Sequence, residues 1–567
     1  MAVEPYDVIV VGSGAGGGMS AYELTRRGLK VLMLEAGRDY DPLTETPMFQ
    51  TPDQAPLRAE PTPDKPLGFF DATVGGGWEV PGEPYTVAPG SQPFKWWRPR
   101  MAGGRTNHWG RVSLRFGPYD FKPHSRDGLG VDWPVDHAEI SPWYDKVERL
   151  IGVTGGPPQG LENIPDAPPG CQQPAPPPKA YEILLSRAFA SMNVPTAPMH
   201  AAILTRPLGD RPACVYATHC MRGCQIKANF QSTTVLIPPA SDTGNLTLRS
   251  NAMVYQVDVD KHGKAKGVSF IDKTTGQHHG VSAKAVILAA GACESARILL
   301  NSRSSFFPNG IGNDHGLVGK YLMDSVGTMV GVSIPALEGL PPTNDDGISL
   351  SHIYVPWWGH GLQAQKKLDF PRGYHFEMYG GRLMPSMFLT GLLDPAGTSR
   401  GAELRKTLRQ RYGSFMLFLS RGEMIPNEDS YLELDPTVRD KWGIPVPRFH
   451  WKWGETETRQ AAHAVKSVLE VTDRMGGKPA WPVETDGAKA ISPGGSIIHE
   501  VGSARMGDSS SNSVVNRYGQ SWAVSNLFIA DGAVFPSSPD KNPTLTILAL
   551  AWRNSAHLAD LARKGEL

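Results

Sequence analysis

No apolar run in this chain of 567 residues approaches the ~20 residues that a membrane helix requires, so direct insertion into a bilayer is not expected. Net charge is missing too. Its 56 basic and 56 acidic side chains cancel, which leaves no global field to attract a nucleic acid or an anionic membrane. Cysteine is scarce: five thiols form an odd set in a large chain, against a disulfide framework and for metal, redox or packing roles. The opening residues, MAVEPYDVIVVG, show no basic n-region, apolar h-region or twin arginine, and a chain without an export signal of its own is expected. No internal period points to a repeat architecture. Glycine (62) and proline (50) are abundant, which suggests long ordered loops.

What is present begins with a strand. DVIVVGS, residues 7–13, is a short β-branched run that stops at glycine, the pattern of a buried strand. GSGAGG follows, then a helical stretch to Arg27 closed by Gly28, then KVLMLE as a second strand ending at Glu35. In this βαβ unit Gly12, Gly14 and Gly17 occupy the G-x-G-x-x-G positions. They allow a tight turn, a close approach of backbone to a pyrophosphate, and close packing of helix on strand. The helix N-terminus adds N–H donors and a positive dipole end. Glu35 follows the glycines by about 20 residues, where an acid accepts hydrogen bonds from a ribose. Dinucleotide binding is the expectation.

Residues 155–179 are proline-laden and read as an extended surface connection, with Cys171 a lone thiol inside it. From 246 to 290 short strands (LTLRS, MVYQVDV, GVSFIDK, KAVILAAG) form a meander that feeds AAGA and the helix SARILL. Cys293 in that turn reads as a packed small residue. Between about 326 and 490 the chain is rich in aromatics and charges, with strand-like DSYLELD, and resembles a separate lid or substrate unit.

The stretches GSIIHEVGSARMG and DGAVFPSSPDKNPTLTILALAWRNSAHLAD, taken with the N-terminal glycines, Glu35 and AAGA, resemble the glucose–methanol–choline family of flavin oxidoreductases over the whole chain. The resemblance implies an α/β protein: a Rossmann-like FAD-binding domain from 1–45, 96–130, 215–325 and 490–567, with a discontinuous α+β substrate domain, containing an antiparallel sheet, from 46–95, 131–214 and 326–489. It implies FAD, not NAD. His499 and Asn542 match the pair that flanks the flavin ring in that family; Val254 would meet the adenine, and Asp531 and Gly532 the pyrophosphate and ribityl chain. MAGGRTNHWGR resembles the segment under the flavin, which brings Gly104, Asn107 and His108 to the cofactor, with Thr544 at the start of the last helix. His108 matches a histidine that in some relatives is bonded to the flavin and otherwise packs beside it. A neutral imidazole at His499 can take a hydroxyl proton while hydride leaves carbon; Asn542 can hold the same oxygen.

Cys214, Cys220 and Cys224 have the spacing C-x5-C-x3-C, unlike ferredoxin runs or paired zinc motifs. It resembles the segment of bacterial three-subunit flavin dehydrogenases, including glucoside 3-dehydrogenases, where thiolates hold a cluster; three suit [3Fe–4S]. A zinc site with His219 and plain buried thiols are the alternatives. The implied activity is oxidation of a sugar or glycoside hydroxyl, at carbon 3, with electrons leaving through the cluster to a c-type cytochrome. Anomeric oxidation, a sugar oxidase using oxygen and a non-catalytic electron carrier are the other readings. A small accessory subunit with an export signal would bring the chain to the periplasm; cytoplasm is the alternative. Trp357 and Trp358 are expected to stack on a pyranose face.

Overall fold

The strand Tyr6–Val11 lies inside a seven-stranded sheet, and Val8, Ile9 and Val10 are fully buried, as a parallel strand covered on both faces requires. The computed structural model describes residues 6–46, 48–51, 53–60, 62, 75–157, 159–217, 220–341, 343–344, 351–382, 393–394 and 397–567. Tyr6–Val11 pairs in parallel with Val31–Leu34 and with the C-terminal half of His278–Leu288. Leu246–Arg249 extends the sheet beyond Val31–Leu34, and Leu527–Ile529 also pairs with His278–Leu288, both in parallel. The N-terminal half of His278–Leu288 turns away to pair antiparallel with Ala265–Asp272, and that strand with Ala252–Val259. One long strand thus joins the parallel sheet to the expected meander.

Helix Ala15–Arg26 packs against the C-terminal helix Thr544–Lys564. The glycines at its start let it sit directly on the loops that follow the strands Tyr6–Val11 and Leu527–Ile529. A Cβ on Gly16 would stand 1.6 Å from the Ala530 carbonyl oxygen, and one on Gly17 would stand 2.0 Å from that of Gly12. The α/β class expected from the sequence is the class observed.

A second core is built on a four-stranded antiparallel sheet in the order Tyr374–Gly380, Phe415–Gly422, Met329–Ser333, Lys478–Pro479. Helix Glu455–Arg474 contacts it, and Phe376, Phe418, Val465 and Val468 fill the space between. Trp357 and Trp358 belong to this core. Their rings lie 4.9 and 5.6 Å from that of Tyr374, so the expected pyranose-stacking role is corrected: they pack this second core.

Other parts of the stretches assigned to the substrate domain join the larger core. Helix His137–Ile151 lies against the C-terminal helix, with Tyr144 Oη 2.7 Å from Thr546 Oγ1. DSYLELD forms the strand Tyr431–Arg439, paired with Pro445–His450 and packed into the same core through Leu432 and Phe449. Within the proline-rich connection the two short strands Thr154–Gly155 and Gln173–Pro174 pair. Among the described residues no helix is long and apolar enough to cross a membrane.

Candidate active site

A cavity of about 540 Å³ opens where the parallel strands end, the place where doubly wound sheets bind ligands. Gly12, Gly14, Glu35, Gly104, His108, Val254, His499, Asp531, Gly532, Asn542 and Thr544 line it. Gly17 and Asn107 stand behind the wall. Gly17 allows the helix to meet the strand, and the Asn107 amide bonds the Ala102 carbonyl at 2.7 Å and Thr233 Oγ1 at 3.1 Å.

At one end the glycine loop is tied to Glu35 by Ser13, a residue for which the motif has no symbol. The Ser13 N–H and hydroxyl donate to the Glu35 carboxylate at 3.1 and 2.5 Å, and the Gly103 N–H donates to Ser13 Oγ at 2.8 Å. Gly12 has φ +98°, and a Cβ there would lie 2.4 Å from the Ala289 carbonyl. Gly14 differs: a Cβ on it meets nothing within 4 Å. The backbone here borders open space at the N-terminus of helix Ala15–Arg26, where N–H groups and the helix dipole favour an anion. Asp531 is fixed by N–H donors of Gly291 and Ala533, both at 2.9 Å, and burial raises its pKa.

His108 accepts a hydrogen bond from Trp97 Nε1 at its Nε2, 2.8 Å. The proton of the neutral ring therefore belongs on Nδ1, a buried atom with no partner among the described residues. Burial, then the charges of Arg111 and Arg105, hold its pKa at about 3. A bond from Nε2 to a cofactor would have to displace the Trp97 donor.

The opposite end brings His499 and Asn542 together. His499 Nδ1 lies 2.9 Å from Ser325 Oγ, and Asn542 Nδ2 lies 3.4 Å from His499 Nε2. The same Nδ2 donates to Glu377 Oε1 at 2.9 Å. Since a carboxylate only accepts, Glu377 sets the orientation of the amide and leaves Oδ1 buried without a partner among the described residues. An amide N–H aimed at Nε2 in turn assigns the imidazole proton to Nδ1, facing Ser325. Burial, followed by the charge of Arg421, lowers the His499 pKa to about 3, so the ring is neutral throughout the physiological range. Asp324 accepts from the His499 N–H at 3.0 Å, and burial with the Glu500 charge pushes its pKa up to about 7.

Glu377 and Arg421 come from adjacent strands of the antiparallel sheet, with His375 opposite Arg421 and Glu377 opposite Leu419. Alternation puts His375, Glu377 and Arg421 on one face. Burial would raise the Glu377 pKa, but Arg421 and His375 more than offset it and hold the carboxyl well below the usual range. Sequence reasoning missed Glu377, Arg421, Ser325 and Asp324, for which no local motif exists.

The three clustered cysteines lie beside the cavity. Met221, between two of them, lines it. Cys214 packs with both Cys220 and Cys224; the Tyr216 N–H donates to Cys214 Sγ at 3.4 Å and the Ala228 N–H to Cys224 Sγ at 3.2 Å. Among the described residues no three His, Cys, Asp or Glu side chains converge to hold a metal ion, and burial raises the Cys224 pKa. The charge around the thiols is nonetheless positive. Arg111, fully buried, donates to the carbonyls of Asn107 and Cys220 and pairs with no carboxylate among the described residues.

Two family models described as GMC oxidoreductase match residues 197–326 and 426–551, and one described as an FAD binding domain matches 7–40. The chain is 29% identical to 2-methyl-1,2-propanediol dehydrogenase of Mycolicibacterium austroafricanum, covering 98% of this chain and 95% of that protein. It is 28% identical to the fructose dehydrogenase large subunit of Gluconobacter japonicus, covering 99% and 98%. Pyridoxine 4-oxidase from Mesorbium loti shares the fold, with a TM-score of 0.63 at 16% identity over 97% of this chain and 99% of that one.

Proposed function

This chain belongs to the GMC oxidoreductase family and binds FAD, and from that premise we propose that it oxidises a secondary hydroxyl of a sugar or glycoside, at carbon 3, with His499 as base. The observation that carries the reading is the neutral His499 imidazole, held between Ser325 and Asn542 on the wall of the cavity.

The residues present suit the cofactor. Gly14 borders open space and Gly104 lines the cavity next to it, as backbone beside a pyrophosphate must, and Asn542 Oδ1 and His108 Nδ1 are buried atoms without partners among the described residues. Gly12, Gly14, Glu35, Gly104, His108, Val254, Asp531, Gly532 and Thr544, which line the cavity together, would hold FAD. FAD, when bound, supplies the acceptor for the hydride that leaves the carbinol carbon. His499 Nε2 takes the hydroxyl proton, displacing the long contact from Asn542 Nδ2. Ser325 receives Nδ1–H and keeps Nε2 as the basic atom. Asn542, held by Glu377, fixes the oxygen so that the C–H points at the acceptor.

Oxidation at carbon 3 presents the far edge of the ring to His499 and lets an anomeric substituent point out of the cavity, so blocked glycosides should be substrates. Incubation of the holoenzyme with methyl glucoside and an artificial acceptor should yield a 3-keto sugar by NMR. Activity confined to free glucose, with a lactone product, would replace this reading by anomeric oxidation.

A [3Fe–4S] cluster on Cys214, Cys220 and Cys224 belongs to the same proposal, as the route by which electrons leave one at a time. It is supported by the sulfur-directed N–H groups and by buried Arg111, a cation whose desolvation is offset when thiolates stand nearby. Among the described residues no ligand group converges, and no catalytic step above depends on the cluster. Iron and acid-labile sulfide should accompany flavin in anaerobically purified protein and disappear in Cys220→Ser, while a single turnover with substrate still bleaches the flavin. Wild-type protein without iron ends the cluster reading. The Gluconobacter relative is itself a large subunit, which supports partners of the kind proposed: a small accessory subunit that brings the chain to the periplasm, and a c-type cytochrome as acceptor.

A further inference from the structure

We propose that Arg421, paired with Glu377, reads a second hydroxyl adjacent to the one being oxidised, which makes vicinal diols and polyols the substrate class of this site; the inference rests on alcohol oxidation at His499.

Arg421 reaches the cavity from the lid sheet, the side opposite the glycine loop, and lines it together with Glu377, His499 and Asn542. Its bonds to the protein are few. One Nη1 hydrogen goes to the Ser420 carbonyl at 2.9 Å, and Nη2 stands 3.4 Å from Glu377 Oε2, a long contact for an ion pair. A guanidinium carries five N–H donors; the others find no partner among the described residues, and the side chain keeps 13% exposure where Glu377 keeps 2%.

Glu377 Oε1 accepts from Asn542 and from His375 Nε2, the latter at 3.4 Å, which leaves Oε2, the oxygen facing Arg421, with acceptor capacity. The pair therefore offers one strong donor and one strong acceptor beside the base. A hydroxyl is both donor and acceptor and fits such a pair. A carboxylate fits less well, because Glu377 would repel it. Glu377 is shared by Asn542 and Arg421, so the second hydroxyl must stand next to the carbinol held by Asn542. Arg421 also helps keep His499 neutral; that effect acts on every substrate alike and cannot by itself select one.

The test compares 1,2-cyclohexanediol with cyclohexanol, using holoenzyme and an artificial acceptor. The wild type should favour the diol in kcat/KM by about ten- to a hundredfold, the worth of a charge-assisted hydrogen bond. In Arg421→Met the preference should fall to within about threefold, mainly through the KM of the diol. Arg421→Lys preserves the charge beside Glu377 and safeguards folding, and should lose about half of the preference on a logarithmic scale. Equal losses on both alcohols in both variants, or a wild type that prefers a 2-hydroxy acid to the diol, would overturn the assignment while leaving alcohol oxidation intact. Failure of the wild type to oxidise any alcohol would instead refute the proposed function.

Discussion

His499→Ala is expected to lower kcat by about 10²–10⁴, the range a positioned general base contributes, while FAD stays bound and substrate still docks. That corresponds to about 3–5 kcal/mol of barrier. Flavin retention is expected from geometry: His499 lies at the end of the cavity away from Gly14 and Glu35, and its side-chain contacts are Ser325 and Asn542, not the glycine loop. The pH profile adds a second readout. Burial lowers the imidazole pKa to about 3, so the proton-accepting form persists as pH falls through 6.5, and the wild-type kcat/KM should show no acid limb centred at the ordinary histidine value. For stability the sign is the same. The unfolded chain takes up this proton near pH 6.5 and the folded chain does not, so folding loses stability as pH drops below that point. Stopped-flow reduction of the flavin by substrate measures the chemical step directly; an unchanged rate in His499→Ala would assign the base elsewhere.

How much of this site could be read from the sequence depends on how local each signal is. The glycine loop and Glu35 were legible because a strand, a turn and a helix must follow one another for the chemistry to work, and they do so within a few dozen residues. His499 and Asn542 were legible through resemblance. Glu377 was not. It reaches Asn542 across 165 residues of chain, on a strand whose alternation says only that one face is buried. The same gap hid Arg421 and Ser325. Trp357 and Trp358 show the opposite error: two adjacent tryptophans suggest a sugar platform, yet Tyr374 and His463 draw them into the second core, where the apolar area they bury stabilises the sheet. For the cysteines, spacing placed three thiols on one loop but carries no information on whether they converge.

The contrast between two glycines of the nucleotide loop makes the cofactor site separately testable. Gly14→Leu should yield a folded, colourless protein with FAD binding weakened by more than about a hundredfold. The backbone at Gly14 has φ −68°, which leucine adopts without strain, and a Cβ there meets nothing within 4 Å. Leucine is a poorer N-cap than glycine, a cost of about 1 kcal/mol, so the fold survives. The added carbons, however, occupy the space into which the pyrophosphate must come to meet the helix N-terminus. Loss of ligand then removes its stabilisation, about 2.7 kcal/mol where FAD stands at a hundred times its Kd, and added FAD should no longer raise Tm. Gly12→Ala should fail differently. With φ +98° and the Ala289 carbonyl 2.4 Å from the new Cβ, the clash is with backbone, so the strand and turn must move and the protein should be recovered poorly or not at all. Far-UV circular dichroism, flavin absorbance and thermal melts of the two variants separate the outcomes: a yellow Gly14→Leu protein whose Tm still rises with FAD would mean that the phosphates do not lie against this loop.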